Sequence, residues 1–258
     1  MVFSLPRGLK WAVLLPVILL AGCFHVKPGV FDGAWNPAPE ARIILATHCC
    51  GFVPYLAVLN DIPGAQVWGD GRVVWATVNN QGQRSVWEGR LQESTIEQWL
   101  KRAYEAGFFN WKDLYADQRV ADAAPQCLEV TLLALHKQVC EYFSGAPQAF
   151  HELYDALVAG TGVQGTPYVP RRGYVQAHPI VFVRAPDPDE IDLHWPDDVG
   201  VSLKAVADGM WMEGEALQLA WQAANANPWA NLVQSANGCY QLSVQVPGLS
   251  TSEPPTVP

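Results

Sequence analysis

The pattern of apolar and polar residues predicts a buried strand, a hairpin and a further strand at the start of the folded region. Residues 43–47 form a short apolar run that is soon followed by a glycine, which is typical of a buried strand. The β-rich residues 67–68 and 73–75 flank Asp70-Gly71, and Asp-Gly in that position favours a tight hairpin. Residues 85–91 follow another polar turn and are predicted to be the next strand.

Apolar residues at helical spacing predict three helices. The first starts at Ser94, which is spaced to form a capping box with Glu97 three residues later. The second starts near Pro147, and the third covers about residues 213–225 and stops before Pro228. The glycines expected to end the first two helices are Gly107 and Gly160. The faces expected to be buried are Ile96, Trp99, Leu100 and Ala103 in the first helix, and Phe150, Leu153, Tyr154 and Leu157 in the second.

The remaining patterns predict more strands and set the fold class. Residues 127–135 are expected to pair with residues 138–143 around a turn at His136-Lys137, and a closing hairpin is expected at Asn237-Gly238. Strands are also predicted on either side of the acidic loop 187–198, over residues 180–183 and 199–206. Few parallel crossover units are visible, so we predict an α+β fold with a largely antiparallel sheet and two to three packed helices.

Glycine and proline content predicts how the chain is divided. The segment 23–41 is short and its apolar residues follow no helical or strand period, so we expect a tether. An α+β domain is expected over residues 42–160, followed by a linker or long loop over 161–173. A smaller mixed portion follows over 174–248, either packed on the first domain or separate from it. The Ser-, Thr- and Pro-rich tail, 249–258, is expected to be disordered.

The N-terminus has the three parts of a secretion signal. Arg7 and Lys10 precede an apolar stretch that is shorter than the roughly 20 residues of a membrane-spanning helix. The stretch ends in Leu20-Ala21-Gly22-Cys23, which resembles the lipobox of bacterial lipoproteins at all four positions. The resemblance implies that residues 1–22 are a signal peptide, that cleavage occurs between Gly22 and Cys23, and that Cys23 carries diacylglycerol. Acylation at Cys23 then anchors the exported chain to a membrane. Phe24 is not a retention aspartate, which favours the outer membrane or the outer cell surface.

Composition narrows the range of partners. Without Arg7 and Lys10 the mature chain has 16 − 2 = 14 basic and 25 acidic side chains, a net charge of −11. This charge argues against nucleic acid and against electrostatic binding to anionic headgroups. Ten of the eleven tryptophans remain after the signal is removed. Tryptophan fills cores, but it also forms sugar-stacking platforms and interface hot spots.

Five further cysteines are candidates for disulfides in an oxidising compartment. They are Cys49, Cys50, Cys127, Cys140 and Cys239. An odd number leaves at least one free thiol or an intermolecular bridge. With the turn at His136-Lys137, Cys127 and Cys140 are offset by about six positions, roughly 20 Å, whereas a disulfide needs alpha carbons within about 7 Å. We therefore predict that these two do not pair, and that the strand carrying Cys49 and Cys50 supplies the partner of one of them.

The search for chemical motifs finds no catalytic residue, metal site or cofactor. His48-Cys49-Cys50 has side chains suited to copper or zinc, but neighbours on a strand point to opposite faces, so a disulfide or burial is favoured. The acidic loop lacks the register of a calcium loop. The sequence has neither a Gly-x-Ser-x-Gly elbow nor a phosphate-binding glycine loop. The two carboxylates of a glycoside hydrolase need not be close in sequence, so the sequence leaves that kind of site open.

Part of the body resembles a group of exported bacterial proteins without an assigned function. The resemblance covers about residues 48–110, with a weaker likeness over 221–229 and at Pro247-Gly248. The segments that carry it are Gly51-Phe52-Val53-Pro54, Ile62-Pro63, Trp68-Gly69-Asp70-Gly71-Arg72-Val73 and Glu105-Ala106-Gly107-Phe108-Phe109. These are mostly turn and cap residues, so the resemblance implies a fold rather than an activity.

Three functions of different classes remain. A non-catalytic envelope lipoprotein that binds a protein or assembly partner is favoured, a carbohydrate- or cell-wall-binding lipoprotein comes second, and an envelope hydrolase third. Exposed, coplanar tryptophan rings along a groove would indicate a glycan, whereas a flat apolar patch would indicate a protein. A hydrolase would need two carboxylates or a Cys–His pair in a cleft.

Overall fold

The computed structural model describes residues 33–48, 51, 53–116, 124–181 and 186–256, all within one compact unit that spans residues 32–258. The predicted signal peptide with its cleavage site at Gly22, the lipid-bearing Cys23, and Cys49 and Cys50 lie outside the described residues. The predictions about the signal peptide, the cleavage site and the lipid on Cys23 therefore stay predictions. The prediction that the strand carrying Cys49 and Cys50 supplies the disulfide partner of Cys127 or Cys140 is wrong, because those two cysteines are bonded to each other.

The described residues form thirteen strands and four α-helices. The strands are β1 Arg42–His48, β2 Ala65–Trp68, β3 Arg72–Val78, β4 Arg84–Arg90, β5 Leu114–Ala116, β6 Gln126–Thr131, β7 His136–Tyr142, β8 Thr166–Pro167, β9 Arg172–Ile180, β10 Leu193–His194, β11 Met210–Glu213, β12 Val233–Ser235 and β13 Gly238–Gln245. The helices are α1 Tyr55–Leu59, α2 Glu93–Glu105, α3 Gln148–Val158 and α4 Gly214–Ala226.

The strands make two sheets. The first has eight strands in the order β5-β7-β6-β1-β2-β3-β4-β8, and the second has five in the order β10-β12-β13-β9-β11. Nine of the eleven strand pairings among the described residues are antiparallel, and only β5–β7 and β10–β12 are parallel. The predicted α+β class with a largely antiparallel sheet is confirmed.

Helices cover both faces of the eight-stranded sheet. Adjacent side chains of a strand point to opposite faces, and β3 shows both environments. Trp75 packs against Gly160 and Gly165, which follow α3. Its neighbour Val74 lies in the hydrophobic core that also contains Leu217 of α4. Because α4 also contacts β9, β11 and β13, it lies between the two sheets and joins them through one core.

The predicted helix faces are correct, but one predicted cap is wrong. All eight apolar positions predicted for α2 and α3 are buried, and Gly107 adopts a left-handed conformation directly after α2, with φ 85°. The capping box at Ser94 and Glu97 is not formed, because α2 already begins at Glu93. The cap residue is the extended Gln92, whose carbonyl accepts the first helical N–H groups.

The predicted register of the β6–β7 hairpin is also wrong. The turn consists of residues 132–135, closed by a hydrogen bond from the Leu132 N–H to the Leu135 carbonyl. This register places Cys127 opposite Cys140, and the two form a disulfide with alpha carbons 4.1 Å apart. The Cys140 N–H donates away from β6, to the Asp113 carbonyl. The two cysteines are therefore a non-hydrogen-bonded pair, the closest type of antiparallel pair.

The folded part of the chain extends beyond its predicted limits at both ends. In the expected tether, the Trp35 indole N–H donates to the Gly69 carbonyl at 3.0 Å, and the Ala34 carbonyl accepts from the Leu133 N–H. In the expected disordered tail, Leu249 is buried and the Thr251 N–H donates to the Asp61 carbonyl. These contacts fix residues that composition alone assigns to flexible segments.

Two predicted strands near the acidic loop, and the predicted linker, also need correction. β9 ends at Ile180, where the first of these strands was expected to begin, and residues 182–185 lie outside the described part. Residues 199–206 contain no strand. Instead, Leu203–Val206 is a 3₁₀ turn that buries Leu203 and Val206, which suits the three-residue period of that helix. In the expected linker 161–173, β8 pairs with β4.

Candidate functional site

A polar cluster around Arg84 contains two ionisable groups with perturbed pKa values, Arg84 and Asp61. Arg84 Nε donates to Asn225 Oδ1 at 2.6 Å, and its NH1 donates to the Asn60 carbonyl at 2.7 Å. Burial lowers the pKa of Arg84 to about 10. Burial also raises the pKa of Asp61, against the opposing effects of a hydrogen bond with Thr251 and the positive charge of Arg84. Perturbed pKa values mark functional sites, but structural networks produce them as well.

The contacts of this cluster favour the structural explanation. Asn225 also donates to the Trp221 carbonyl within α4, so Arg84 joins β4 of the first sheet to both α4 and the end of α1. No buried side-chain nitrogen or oxygen in the described residues lacks a hydrogen-bond partner. A group poised for chemistry would leave some of this capacity free for a substrate. We therefore assign the cluster to holding the two sheets together.

The chemically suggestive His48 lies at the edge of this cluster. It ends β1, is exposed, and is close enough to Asp61 for a favourable charge interaction that lowers the pKa of that carboxyl. Cys49 and Cys50, which follow it, are outside the described residues. Within the described part of the chain, no group of three or more His, Cys, Asp or Glu side chains is arranged to hold a metal ion.

A serine and a histidine meet on two neighbouring strands of the five-stranded sheet, β13 and β9. His178 Nε2 lies 3.5 Å from Ser243 Oγ, longer than the roughly 2.6–3.2 Å of a nucleophile and its base. Ser243 is only 1% exposed, which leaves little room for a substrate. Burial lowers the pKa of His178. This geometry gives the hydrolase hypothesis little support.

Cys239, on the five-stranded sheet, is a free thiol. Cys239 is half-buried on β13. Its strand neighbours are Ile180 and Gln234, so nothing in the strand pairing marks it as part of a catalytic pair.

Half of the described tryptophans are core residues. Of the ten tryptophans after residue 22, five are buried: Trp68, Trp75, Trp99, Trp195 and Trp221. Among the described tryptophans only Trp229 is largely exposed, at 55%. Trp211 is half-buried beneath the Arg172 guanidinium, 4.6 Å from the ring centroid. A row of exposed coplanar rings, which the glycan hypothesis requires, is absent from the described residues.

A small surface pocket lies where the N-terminal segment meets the β2–β3 hairpin. Its volume is about 180 Å³, and Trp35, Pro37, Gly69, Asp70, Gly71, Leu91, Glu93 and Ile96 line it. The pocket joins an aromatic ring, two aliphatic side chains and two carboxylates. It contains Gly69-Asp70-Gly71, part of the segment that carries the resemblance to exported bacterial proteins.

Two glycines allow the pocket walls to approach so closely. A Cβ on Gly69 would lie 1.8 Å from the Asn36 carbonyl oxygen, so residues 36–37 pass directly over this glycine. Gly71 has φ 88°, and a Cβ there would lie 2.6 Å from the Leu91 carbonyl oxygen. Gly71 also accepts the Leu91 N–H at 2.8 Å, which fixes the floor of the pocket.

The two carboxylates of the pocket have different surroundings. Asp70 accepts from the Arg72 N–H at 3.0 Å and from the Arg90 guanidinium at 3.0 and 3.3 Å, so both of its oxygens are used. Glu93 is exposed in the first turn of α2, and no described residue forms an ion pair with it. Because Arg90 neutralises the charge of Asp70, the pocket keeps one uncompensated negative charge, that of Glu93.

Comparisons with family models, curated proteins and solved structures find no match to this chain. Among the residues that the structure describes, no helix is both long enough and apolar enough to cross a membrane.

Sequence reasoning missed this pocket because its walls come from three separate segments of the chain. The sequence predicts Trp35 in a tether and Asp70-Gly71 in a turn, and no local pattern connects the two. An isolated tryptophan in a glycine- and proline-rich segment was the one available signal, since an aromatic ring gains little in a solvated tether. Nothing in the sequence indicated that Glu93 faces the same space.

Proposed function

We propose that this protein is an exported lipoprotein, anchored through lipid on Cys23, whose body binds a protein partner at the membrane surface without catalysing a reaction. The observation that carries this proposal is the pocket at Trp35. It is preorganised by the two close glycine contacts, and it combines an aromatic wall with a free carboxylate. Aromatic residues in small pockets supply much of the binding energy of protein interfaces.

The position of the pocket also supports a role at the membrane. Trp35 lies 35 − 23 = 12 residues after Cys23, and a chain of that length spans at most about 40 Å. If Cys23 carries the lipid, the pocket stays within that distance of the bilayer. A partner in the same membrane, or bound to it, would therefore meet the pocket at a high effective concentration.

The first experiment tests the anchor. Intact mass measurement of the protein extracted from membranes should give residues 23–258 plus the mass of the acyl chains. Cys23→Ala should leave an uncleaved or mislocalised precursor, because the lipid acceptor is lost. A soluble mature chain that begins at another residue would overturn the anchor.

The second experiment tests the non-catalytic binding role. The lipidated protein is captured from detergent-solubilised envelope, and each candidate partner is then tagged and used for reciprocal capture. Recovery in both directions is the expected result, and recovery of nothing beyond a tag-only control contradicts it. The same preparation is screened for hydrolase and esterase turnover. Turnover abolished by one Asp, Glu, Cys or His substitution in a folded protein would overturn the proposal.

A further inference from the structure

We propose that the Trp35 pocket receives one basic side chain, a lysine or an arginine, of the partner protein. This inference rests on the proposed function and adds the chemistry of recognition. The volume of about 180 Å³ lies below the roughly 300–1,000 Å³ of sites for drug-sized ligands. The pocket therefore suits a single side chain better than a cofactor or an oligosaccharide.

The walls of the pocket match both parts of such a side chain. Trp35 and Pro37, which are partly exposed, offer an apolar surface for the methylene stem, with the nearly buried Leu91 and Ile96 beneath them. Lys and Arg commonly bury such a stem while their charged ends stay hydrated. Trp35 offers an indole ring, the aromatic side chain that attracts cations most strongly. Glu93 offers a carboxylate that has no ion-pair partner among the described residues. Each component thus has a complementary surface.

Charge excludes the opposite class of ligand. An anion could approach the N-terminus of α2, where backbone N–H groups favour negative charge. However, it would there meet the carboxylates of Glu93 and Asp70, and only Asp70 is compensated, by Arg90 at 3.0 Å. The net charge of −11 on the mature chain acts in the same direction, because it attracts basic partners over a longer range.

The direct test uses short peptides as probes and the full lipidated protein in detergent micelles. The probes are acetyl-Gly-Lys-Gly-amide, its arginine and glutamate analogues, and a norleucine analogue that keeps an aliphatic stem but lacks the charge. The readout is the NMR signal of the Trp35 indole N–H, assigned with Trp35→Phe. We expect saturable shifts with the lysine and arginine peptides and at least about tenfold weaker binding of the norleucine and glutamate peptides.

Matched variants on one helix separate a local effect from a general charge effect. Glu93→Gln should weaken the lysine peptide about fivefold or more. Glu97→Gln removes the same charge one turn later from the exposed side of α2 and should change binding less than twofold. Equal losses in both variants would mean that the peptide binds through general electrostatics and not in the Trp35 pocket, and would overturn the inference.

Other outcomes distinguish this inference from the proposed function. Equal binding of the lysine and norleucine peptides would leave only an apolar pocket and overturn the inference. A shift caused by phosphatidylethanolamine vesicles but by no peptide would assign the site to a lipid headgroup and also overturn it. If no peptide binds, and wild type and Glu93→Gln recover the same partner equally well, the pocket is not the binding site. This result would overturn the inference but leave the proposed binding role intact. Recovery of no partner despite peptide binding would contradict only the proposed function.

Discussion

The side-chain oxygen of Asn60 accepts a 2.8 Å hydrogen bond from the backbone N–H of Val244, a residue 184 positions later in the chain. The Asn60 amide nitrogen donates to the Leu242 carbonyl at 3.0 Å. β12 pairs with β13 only as far as Tyr240, so these bonds continue where the neighbouring strand stops. Asn231 adds a second pair of bonds, both to Leu242. Two side-chain amides thus replace a missing strand at this edge.

We expect Asn60→Ala to lower the free energy of unfolding by about 1–3 kcal/mol, because the buried Val244 N–H loses its acceptor while the Leu242 carbonyl keeps only the donor from Asn231. Urea-induced unfolding of the purified protein measures the change. Asn110→Ala is the control, since Asn110 is exposed and surface substitutions usually change stability by less than about 0.5 kcal/mol. A loss below about 1 kcal/mol for Asn60→Ala would show that the edge of β13 has another means of closure.

The disulfide between Cys127 and Cys140 closes a loop with a sequence separation of 13 residues. In the chain-entropy account, a loop of about this length stabilises the folded state by about 3 kcal/mol. Replacing both cysteines by alanine should therefore cost about 2–4 kcal/mol, measured by denaturant unfolding without reductant. Cys239→Ser should change little, because that thiol is free in the structure.

Peptide mapping without reduction tests the same pairing covalently. The peptides containing Cys127 and Cys140 should be recovered as one linked species that separates on reduction. Linkage of either cysteine to Cys49 or Cys50 instead would contradict the observed register of β6 and β7.

Local periodicity was sufficient to predict the long helices and the tightest turns. The buried faces of α2 and α3 follow from 3.6-residue spacing alone, and Asp70-Gly71 specified its hairpin through turn chemistry. In contrast, α1 has only five residues after Pro54, too few for a period to be detected. The turn at residues 132–135 consists of Leu-Leu-Ala-Leu, which is indistinguishable from strand by composition. One wrong turn then misplaced the disulfide.

The candidate site was less predictable, because it depends on contacts between distant segments. Trp35 joins the Gly69 carbonyl across 34 positions, and Asn60 joins Val244 across 184. A side-chain amide that completes a sheet looks like any surface asparagine in the sequence. Long-range contacts of this kind have no local period, so neither spacing nor propensity could indicate them.

Gly69→Ala should detach the N-terminal segment from the hairpin. Its Cβ would lie 1.8 Å from the Asn36 carbonyl oxygen, so the backbone of residues 36–37 must move. Overpacking of this kind typically costs about 1–3 kcal/mol. Hydrogen exchange should show faster exchange at the Leu133 N–H, which donates to Ala34. The Cys140 N–H, bonded within the same sheet, serves as the internal control and should keep its protection. Unchanged exchange at both positions would contradict this tight contact.

The final prediction concerns the pH dependence of stability at Asp61. Burial raises the pKa of this carboxyl above its ordinary value of 3.8, while the bond with Thr251 and the charges of Arg84 and His48 limit the rise. The folded protein therefore retains this proton to a higher pH than the unfolded chain does. As pH rises from 3.8 towards the raised pKa, folding is coupled to proton binding, and the free energy of unfolding falls. Above the raised pKa this contribution becomes constant.

Asp61→Asn removes this titration, so the variant isolates it from all other groups. The free energy of unfolding of wild type minus that of Asp61→Asn should decline as pH rises above 3.8 and then level off. Urea unfolding at intervals between about pH 3 and pH 7 measures this difference. Asp197→Asn removes a carboxyl from the exposed acidic loop and should not reproduce the decline. A difference that instead rises with pH would mean that Arg84 stabilises the carboxylate more than burial penalises it, and the Arg84 cluster would then act as a buried ion pair.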